Sequence, residues 1–462
     1  MDRYYNLKNL LLVPIEVLVR DLEPRLYLAA NYLENIDNGI CVLGPSHFIN
    51  NLAGKTKIPF LYLAKAYHLQ KSFYTNLKRL NSKYVIVDAE GGVYSKWSEA
   101  NNPRGGCDSK YFNEISRIYF WGESSFVDYK KRYDKFDPEK QSLLTGYPLF
   151  DLRKNKFDDY YRSRSDKVEK PDNYLLVNTS WGLINNILPM EDEIKFENGS
   201  DHAENVIKTL HKFEADRFLI FLEGVKRISN EHPNLKIVIR PHPVEKSETY
   251  IEYFKSLKNV IVSKEGVANE WMVDAKILIH TGCTTAIENF IGGRDSICFV
   301  PNCDDQFVPY VPLGVSDVAN NADELSLLIK DILGGRSVSA DKKKSRMQLV
   351  KTIIDNQDYD SGQKIGKDLV KLSLELNQKD TFGLDDIVYW CQSKDFIKSL
   401  YRKIRSHFYG NRDLQRRSAE KFIKLDFDQV SEFLCYLENQ GITTKKISIK
   451  PLSSSAFALY IK

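Results

Sequence analysis

The chain has 462 residues, 42% of them hydrophobic and 28% charged, with a formal net charge of only +4. This length allows two to three domains with large cores, and so small a charge excess argues against a nucleic-acid partner. No apolar run reaches the roughly 18 residues a membrane span needs, the start Met1-Asp2-Arg3-Tyr4-Tyr5-Asn6 lacks a signal-peptide pattern, and the seven cysteines (Cys41, Cys107, Cys283, Cys298, Cys303, Cys391, Cys435) show no CxxC spacing. That spacing speaks against a zinc site and a disulfide framework alike, and a cytoplasmic protein is expected.

In chain order, short apolar runs at 10–15, 39–43, 59–63, 84–88, 117–121 and 142–147 read as strands separated by amphipathic helices, which predicts a doubly wound parallel sheet. Glu16, Arg20, Asp21 and Arg25 crowd the first strand-to-helix connection, with the helix itself expected from Leu26, so these four charges are placed at the pocket edge of the sheet. The fourth strand ends in Asp88-Ala89-Glu90-Gly91-Gly92. Carboxylates there suit a general base, a nucleophile or a stabiliser of an anomeric carbon, and the paired glycines let a substrate approach the backbone. The alternative is an acidic turn capping the next helix.

Residues 154–172 turn polar and read as a linker. The alternation then restarts: strands are expected from Tyr174, with Asn178 and Thr179 at the strand end, and at 237–240, 259–262, 277–280 and 296–300. Helices are expected about 215–231, 322–333 and 342–376, and residues 380–462 form an appendage ending in two strands at 446–449 and 456–461. The organisation expected is therefore an N-terminal Rossmann-like unit (1–160), a second such unit (173–378) and the appendage, which is the GT-B arrangement of two sheets facing across a cleft.

Two strand ends of the second unit carry the densest chemistry. One delivers Arg240-Pro241-His242-Pro243 with Glu245 close behind, and the other His280-Thr281-Gly282-Cys283-Thr284-Thr285-Ala286-Ile287-Glu288. Both fall at carboxyl ends of parallel strands, where open α/β sheets bind ligands. Backbone N–H groups, hydroxyls and a helix start beside Arg240 and two histidines favour a phosphate. The plain alternative is that the prolines end a strand and the histidines are hydrogen-bonded structural residues.

Taken with Arg20-Asp21-Leu22, Glu90-Gly91, Gly146-x-Pro148-x-x-Asp151 and Asn178-Thr179, these motifs resemble the bacterial surface carbohydrate biosynthesis proteins. That family is GT-B-like and related in motif to capsule Kdo transferases and bacterial sialyltransferases. The resemblance spans about residues 10–320. It implies a CMP-activated sugar as donor, with His242, Thr284 and Thr285 on the donor phosphate, Glu288 on the ribose or cytosine, and Glu90 or Asp88 at the hydroxyl of a glycan or lipid-linked acceptor. No metal or other cofactor is implied. Here Gly91-Gly92 replaces the family's single glycine followed by an apolar residue, and the last 80 residues have no counterpart.

Residues 391–424 hold ten Lys/Arg against three Asp/Glu. Ile397, Leu400, Tyr401, Ile404 and Phe408 fall there at helical spacing among Lys398, Arg402, Lys403 and Arg405. This basic amphipathic helix suits peripheral contact with an anionic membrane or an anionic lipid-linked acceptor; equally, it suits packing on a neighbouring domain with its basic face in solvent. The strings Asp358-Tyr359-Asp360 and Asp426-Phe427-Asp428 follow no strand beside the phosphate motifs and are not read as metal ligands.

Overall fold

A computed structural model describes residues 6–65, 71–88, 94–97, 112–164, 169–192, 201–302, 306–355, 360–376, 378, 380–392 and 425–461. The basic segment 393–424 lies outside the described residues. Two sheets carry the fold, each doubly wound as expected. The first holds parallel strands β1 (Asn9–Ile15), β2 (Gly39–Pro45), β3 (Phe60–Ala64), β4 (Lys83–Val87), β5 (Ile115–Phe120) and β6 (Ser142–Leu144) in the order β2-β1-β3-β4-β5-β6. Along β1, Leu11, Val13 and Ile15 enter one core cluster and Leu10 and Leu12 another. Both faces are covered, which is why the run Leu10–Val13 shows no polar alternation.

The second sheet holds β7 (Tyr174–Asn178), β8 (Lys236–Arg240), β9 (Val260–Val262), β10 (Ile277–His280), β11 (Ser296–Phe299) and β12 (Asp317–Ala319), all parallel, in the order β12-β11-β10-β7-β8-β9. The chain starts in the middle at β7, winds outward through β8 and β9, then returns to the other side of β7 with β10. The reversal between β7 and β10 is a topological switch point, the place on the carboxyl edge where sheets of this kind bind ligands.

The last strands are not a separate appendage. Strand β13 (Ile447–Pro451) pairs antiparallel with β14 (Phe457–Ile461), and β14 pairs antiparallel with β2, with Leu459 opposite Cys41. The first sheet thus has eight strands. The physical reason is an open edge: β2 would otherwise present unpaired backbone groups, and Phe457 and Leu459, both fully buried, complete the core beside it.

Three local expectations also change. The first helix runs Leu18–Glu34 and so begins eight residues before Leu26. Asp21 Oδ2 accepts from the backbone N–H groups of Glu16 (3.2 Å) and Val17 (2.9 Å), capping the first turn, and nearly every side chain from Asp21 to Leu33 is buried, which outweighs the hydrogen bond that Pro24 cannot donate. The expected helix over 342–376 is two helices, Ala340–Lys351 and Ser361–Leu374. Between them the chain crosses back to the first unit, where Asp151 accepts from Ser361 Oγ (2.6 Å) and Gly362 N (2.9 Å). Glycines 362 and 366 then let the second helix lie against Tyr27 and Asn31 of the first, where a β-carbon would collide. Finally, the expected linker is buried structure: Phe157, Tyr160 and Tyr161 are enclosed, and the helix Asp158–Ser163 packs between the units.

The carboxyl edges of the two sheets meet. Beyond β4, the Tyr94 carbonyl accepts from Tyr310 N (3.1 Å) and Trp97 N donates to the Gln306 carbonyl (2.8 Å), joining the segment after β4 to the one after β11. Among the described residues no helix is long and apolar enough to cross a membrane.

Because Leu459 sits inside the first unit's core, Leu459→Ala should destabilise the protein by about 2–5 kcal/mol in chemical denaturation. An independent appendage would leave the main unfolding transition unmoved.

Candidate functional site

The register of the second sheet brings three strand ends level: Asn178 lies opposite Arg240 on β8 and opposite His280 on β10. Two residues back, Leu176, Val238 and Leu278 share one core cluster. Strand alternation therefore puts Asn178, Arg240 and His280 on the same face at the switch point.

The two outer members, expected as ligand groups, are hydrogen-bonded within the protein. Arg240 donates to the carbonyls of Glu265 and Gly266 (3.0 Å to the latter), and its guanidinium lies over the Trp271 ring at 5.2 Å. Burial lowers its pKa to about 10, so it stays charged. His280 is fully buried; its Nδ1 accepts from Gly282 N (3.1 Å), which leaves Nε2 to donate to Ser316 Oγ (2.7 Å). Burial depresses its pKa to about 3, so it is neutral at physiological pH and shapes the next loop rather than holding an anion.

Asn178 is different. It is 6% exposed, and neither Oδ1 nor Nδ2 has a hydrogen-bond partner. A buried amide with both polar atoms unpaired costs roughly 1–3 kcal/mol per group, and here it stands at the switch point where sheets of this topology bind ligands.

The loop after β10 closes one side. Gly282 has φ +96°, a left-handed conformation suited to glycine, and a β-carbon there would press on Pro309 and Val308. Thr281 Oγ1 accepts from Ser180 N (2.9 Å) and contacts Ser180 Oγ at 2.7 Å, tying this loop to the one after β7. Cys283 Sγ lies 2.7 Å from Thr285 Oγ1, and burial pushes the thiol up to about 11, so it remains protonated. Thr284 precedes the helix Thr285–Ile291 without its side chain capping that helix. Glu288, expected at the ribose or cytosine, instead forms a buried ion pair with Arg153 Nε (2.7 Å) and so joins the second unit to the chain entering it from the first.

The loop after β8 forms the other side. His242 is exposed, with Nδ1 at 3.4 Å from Val244 N, while Pro243 is half-buried. Glu245 is fully buried and accepts from Thr179 Oγ1 (2.8 Å), Trp181 N (2.8 Å) and Tyr250 OH (2.5 Å). It fastens the β7 and β8 loops together, so neither it nor Thr179 is spare for a substrate. Ser180 and Glu214 were not singled out by sequence. Ser180 lies only two residues past a strand end; Glu214 carries no local signal, being brought from the long helix Asp201–Glu231.

On the first unit, Asp21 is buried in its cap role and ion-paired with Arg20 Nε (3.0 Å). Burial raises its pKa, but Arg20, Lys65 and the Val17 N–H outweigh that and hold it below the usual range. Its carboxylate is thus taken up by two backbone N–H groups and Arg20. Glu16 pairs with Lys65 (3.0 Å), and Arg25 is buried with Nη2 3.5 Å from the Ala64 carbonyl. Asp88 is half-buried at the end of β4, its carbonyl accepting from Trp121 Nε1 (2.6 Å). Glu90, Gly91 and Gly92 lie outside the described residues. Of the DxD strings, Asp360 is paired with Lys154 (3.3 Å) and Lys156 (2.7 Å), and Asp426 caps a helix through Asp428 N (2.9 Å).

No family model and no curated protein matches the chain. Among solved structures it is similar to the Methanocaldococcus jannaschii UDP-GlcNAc 2-epimerase in complex with UDP-GlcNAc and UDP, at 13% identity over 79% of this chain and 99% of that one, with a TM-score of 0.48. It is also similar to the Neisseria meningitidis UDP-GlcNAc 2-epimerase bound to UDP-GlcNAc, at 9% identity over 79% and 100% of the two chains, with a TM-score of 0.45. A third is the wall teichoic acid polymerase TagF, at 13% identity over 80% and 90%, with a TM-score of 0.46.

Glu214 supplies a pH dependence. Its Oε2 is enclosed without a hydrogen-bond partner, and burial pushes its pKa up to about 8; burial likewise raises Glu245 to about 6. A carboxyl raised in the folded state contributes stability that is full below its unfolded pKa and is lost as pH rises through the folded value. Stability should therefore fall from about pH 4.5 to pH 8. Glu214→Gln should flatten the part between pH 6 and 8 and exceed wild type at pH 8.5 by roughly 1–3 kcal/mol in urea denaturation; parallel wild-type and mutant profiles would contradict this.

Proposed function

We propose that the chain is a glycosyltransferase of surface-glycan biosynthesis that takes a nonulosonic acid or Kdo from a CMP-activated donor and passes it to a glycan hydroxyl. The observation that carries this reading is the Asn178 amide, enclosed and unpaired at the switch point between two residues already occupied elsewhere. An amide offers donors and an acceptor side by side. That pairing suits the edge of a nucleobase or ribose better than a bare phosphate, so in this reading Asn178 takes the place first expected for Glu288.

The phosphate then belongs to the neighbouring loops. His242 is exposed at the same edge, and the Val244 N–H facing its Nδ1 favours the tautomer with the proton on Nε2. In the reaction, the bond from the anomeric carbon to a phosphate oxygen breaks and the electron pair stays on the phosphate. The acceptor oxygen bonds to that carbon and loses its proton to a carboxylate of the 88–90 stretch. A donor N–H at His242 and the Thr284 hydroxyl stabilise the charge growing on the leaving phosphate. The contact between segments 94–97 and 306–310 supports an acid of the first unit working against a donor on the second.

A thermal-shift titration checks this. CMP should raise the melting temperature of the wild type, and Asn178→Ala should weaken CMP at least tenfold without lowering the melting temperature of the free protein. Preference for CDP-glycerol over CMP would replace the reading with transfer through the phosphate, as in alditol phosphotransferases. No response to any cytidine nucleotide would favour a non-catalytic scaffold.

A further inference from the structure

We propose that the first unit carries an oxyanion site centred on Arg25, and that the substrate meeting the donor brings a phosphate or carboxylate group to it. The identity of that substrate rests on the transferase reading above; the existence of the site does not.

Arg25 projects from the first helix to the end of β3, next to the point where the order of the first sheet reverses between β1 and β3. This is the first sheet's own switch point. The residue is 5% exposed, its Nη1 has no hydrogen-bond partner, and its one hydrogen bond is the 3.5 Å approach of Nη2 to the Ala64 carbonyl. A guanidinium has five N–H donors, and a buried cation left without an acceptor is costly.

The nearby carboxylates are committed elsewhere. Asp21 accepts from Glu16 N, Val17 N and Arg20 Nε, and Glu16 accepts from Lys65 Nζ at 3.0 Å. Asp21 acts on Arg25 through space but is hydrogen-bonded to Arg20 instead. Other buried arginines among the described residues each hold at least one close acceptor, although Arg217 Nη2 and Arg346 Nε and Nη1 also lack a hydrogen-bond partner. Arg153 holds Glu288 at 2.7 Å, Arg346 holds Asp317 at 2.7 Å, and Arg217 donates to the Pro301 carbonyl at 2.9 Å while lying 4.3 Å from the Phe213 ring centre.

A planar fork with an enclosed, unused edge matches the two oxygens of a carboxylate or phosphate. The segments beyond β4 and β11 are hydrogen-bonded to each other, so the edge that holds Arg25 is the one that meets the second unit. An anion bound there would sit on the acceptor flank of the reaction.

The test uses glycerol 3-phosphate, acetate and neutral glycerol as probes at fixed ionic strength, with CMP as a separate arm. Wild type should be stabilised by glycerol 3-phosphate or by acetate, the responding probe showing whether phosphate or carboxylate is taken, and not by glycerol. Arg25→Met should lose at least roughly tenfold in affinity for that anion, keep its response to CMP, and melt at or above the wild-type temperature, since an unpaired buried charge has been replaced by an apolar chain of similar length. Arg25→Lys, which keeps the charge but loses the fork, should bind the anion roughly tenfold more weakly than wild type and is read alone if the methionine variant does not fold. An anion response unchanged in both variants, or no anion response in a wild type that binds CMP, overturns the proposal. An Arg25-dependent anion response without any cytidine nucleotide response would keep the site and discard the transferase reading.

Discussion

Strands β8, β7 and β10 end level, so Arg240, Asn178 and His280 stand side by side on one face, and the chemistry of the second unit's edge depends on that register. The outer two are held by carbonyls of the 265–266 loop and by Ser316. Each fixes a loop: Arg240 the turn beyond β9, His280 the turn through Gly282. Only the central residue keeps its polar atoms unused. The unsatisfied amide thus stands between two residues hydrogen-bonded elsewhere, an arrangement that costs stability unless something binds there.

The same economy of partners governs the junction of the units. The segment that enters the second unit is enclosed by aromatic contacts such as Tyr160 with Phe433 at 5.2 Å, and by ion pairs to the second unit, Arg153 with Glu288 and Arg164 with Glu270. Glu23 on the first helix is buried and accepts from Tyr161 OH at 2.8 Å. Since Glu288 lies on the helix that begins at Thr285, the candidate donor loop is anchored directly to the crossing segment. A buried pair is strongly destabilising to break by removing one partner, so the relative placement of the units is tightly specified.

Strand positions were legible because buried parallel strands write themselves as short β-branched runs: the run expected at 277–280 is β10, and that at 237–240 lies within β8. What was not legible depends on distant partners. Nothing near Phe457 indicates that its strand will close the open edge of β2, and nothing near Pro24 indicates that a helix starts before it. The site residues split in the same way. Arg240, His280, Glu245 and Glu288 have the right types at the right strand ends, yet their acceptors and donors come from Gly266, Ser316, Thr179 and Arg153, and only coordinates reveal that those partners consume them. Of the three level strand ends, Asn178 is the one whose polar side-chain atoms have no partner.

The central claim is that the switch point between β7 and β10 receives the nucleotide of the donor. A crystal structure of the protein with CMP tests it most directly. The account predicts the cytidine between the two strand ends, within hydrogen-bond distance of the Asn178 amide, with its phosphate against the 281–285 and 242–244 loops. CMP bound away from that edge, or bound there with Asn178 still lacking a partner, would contradict it.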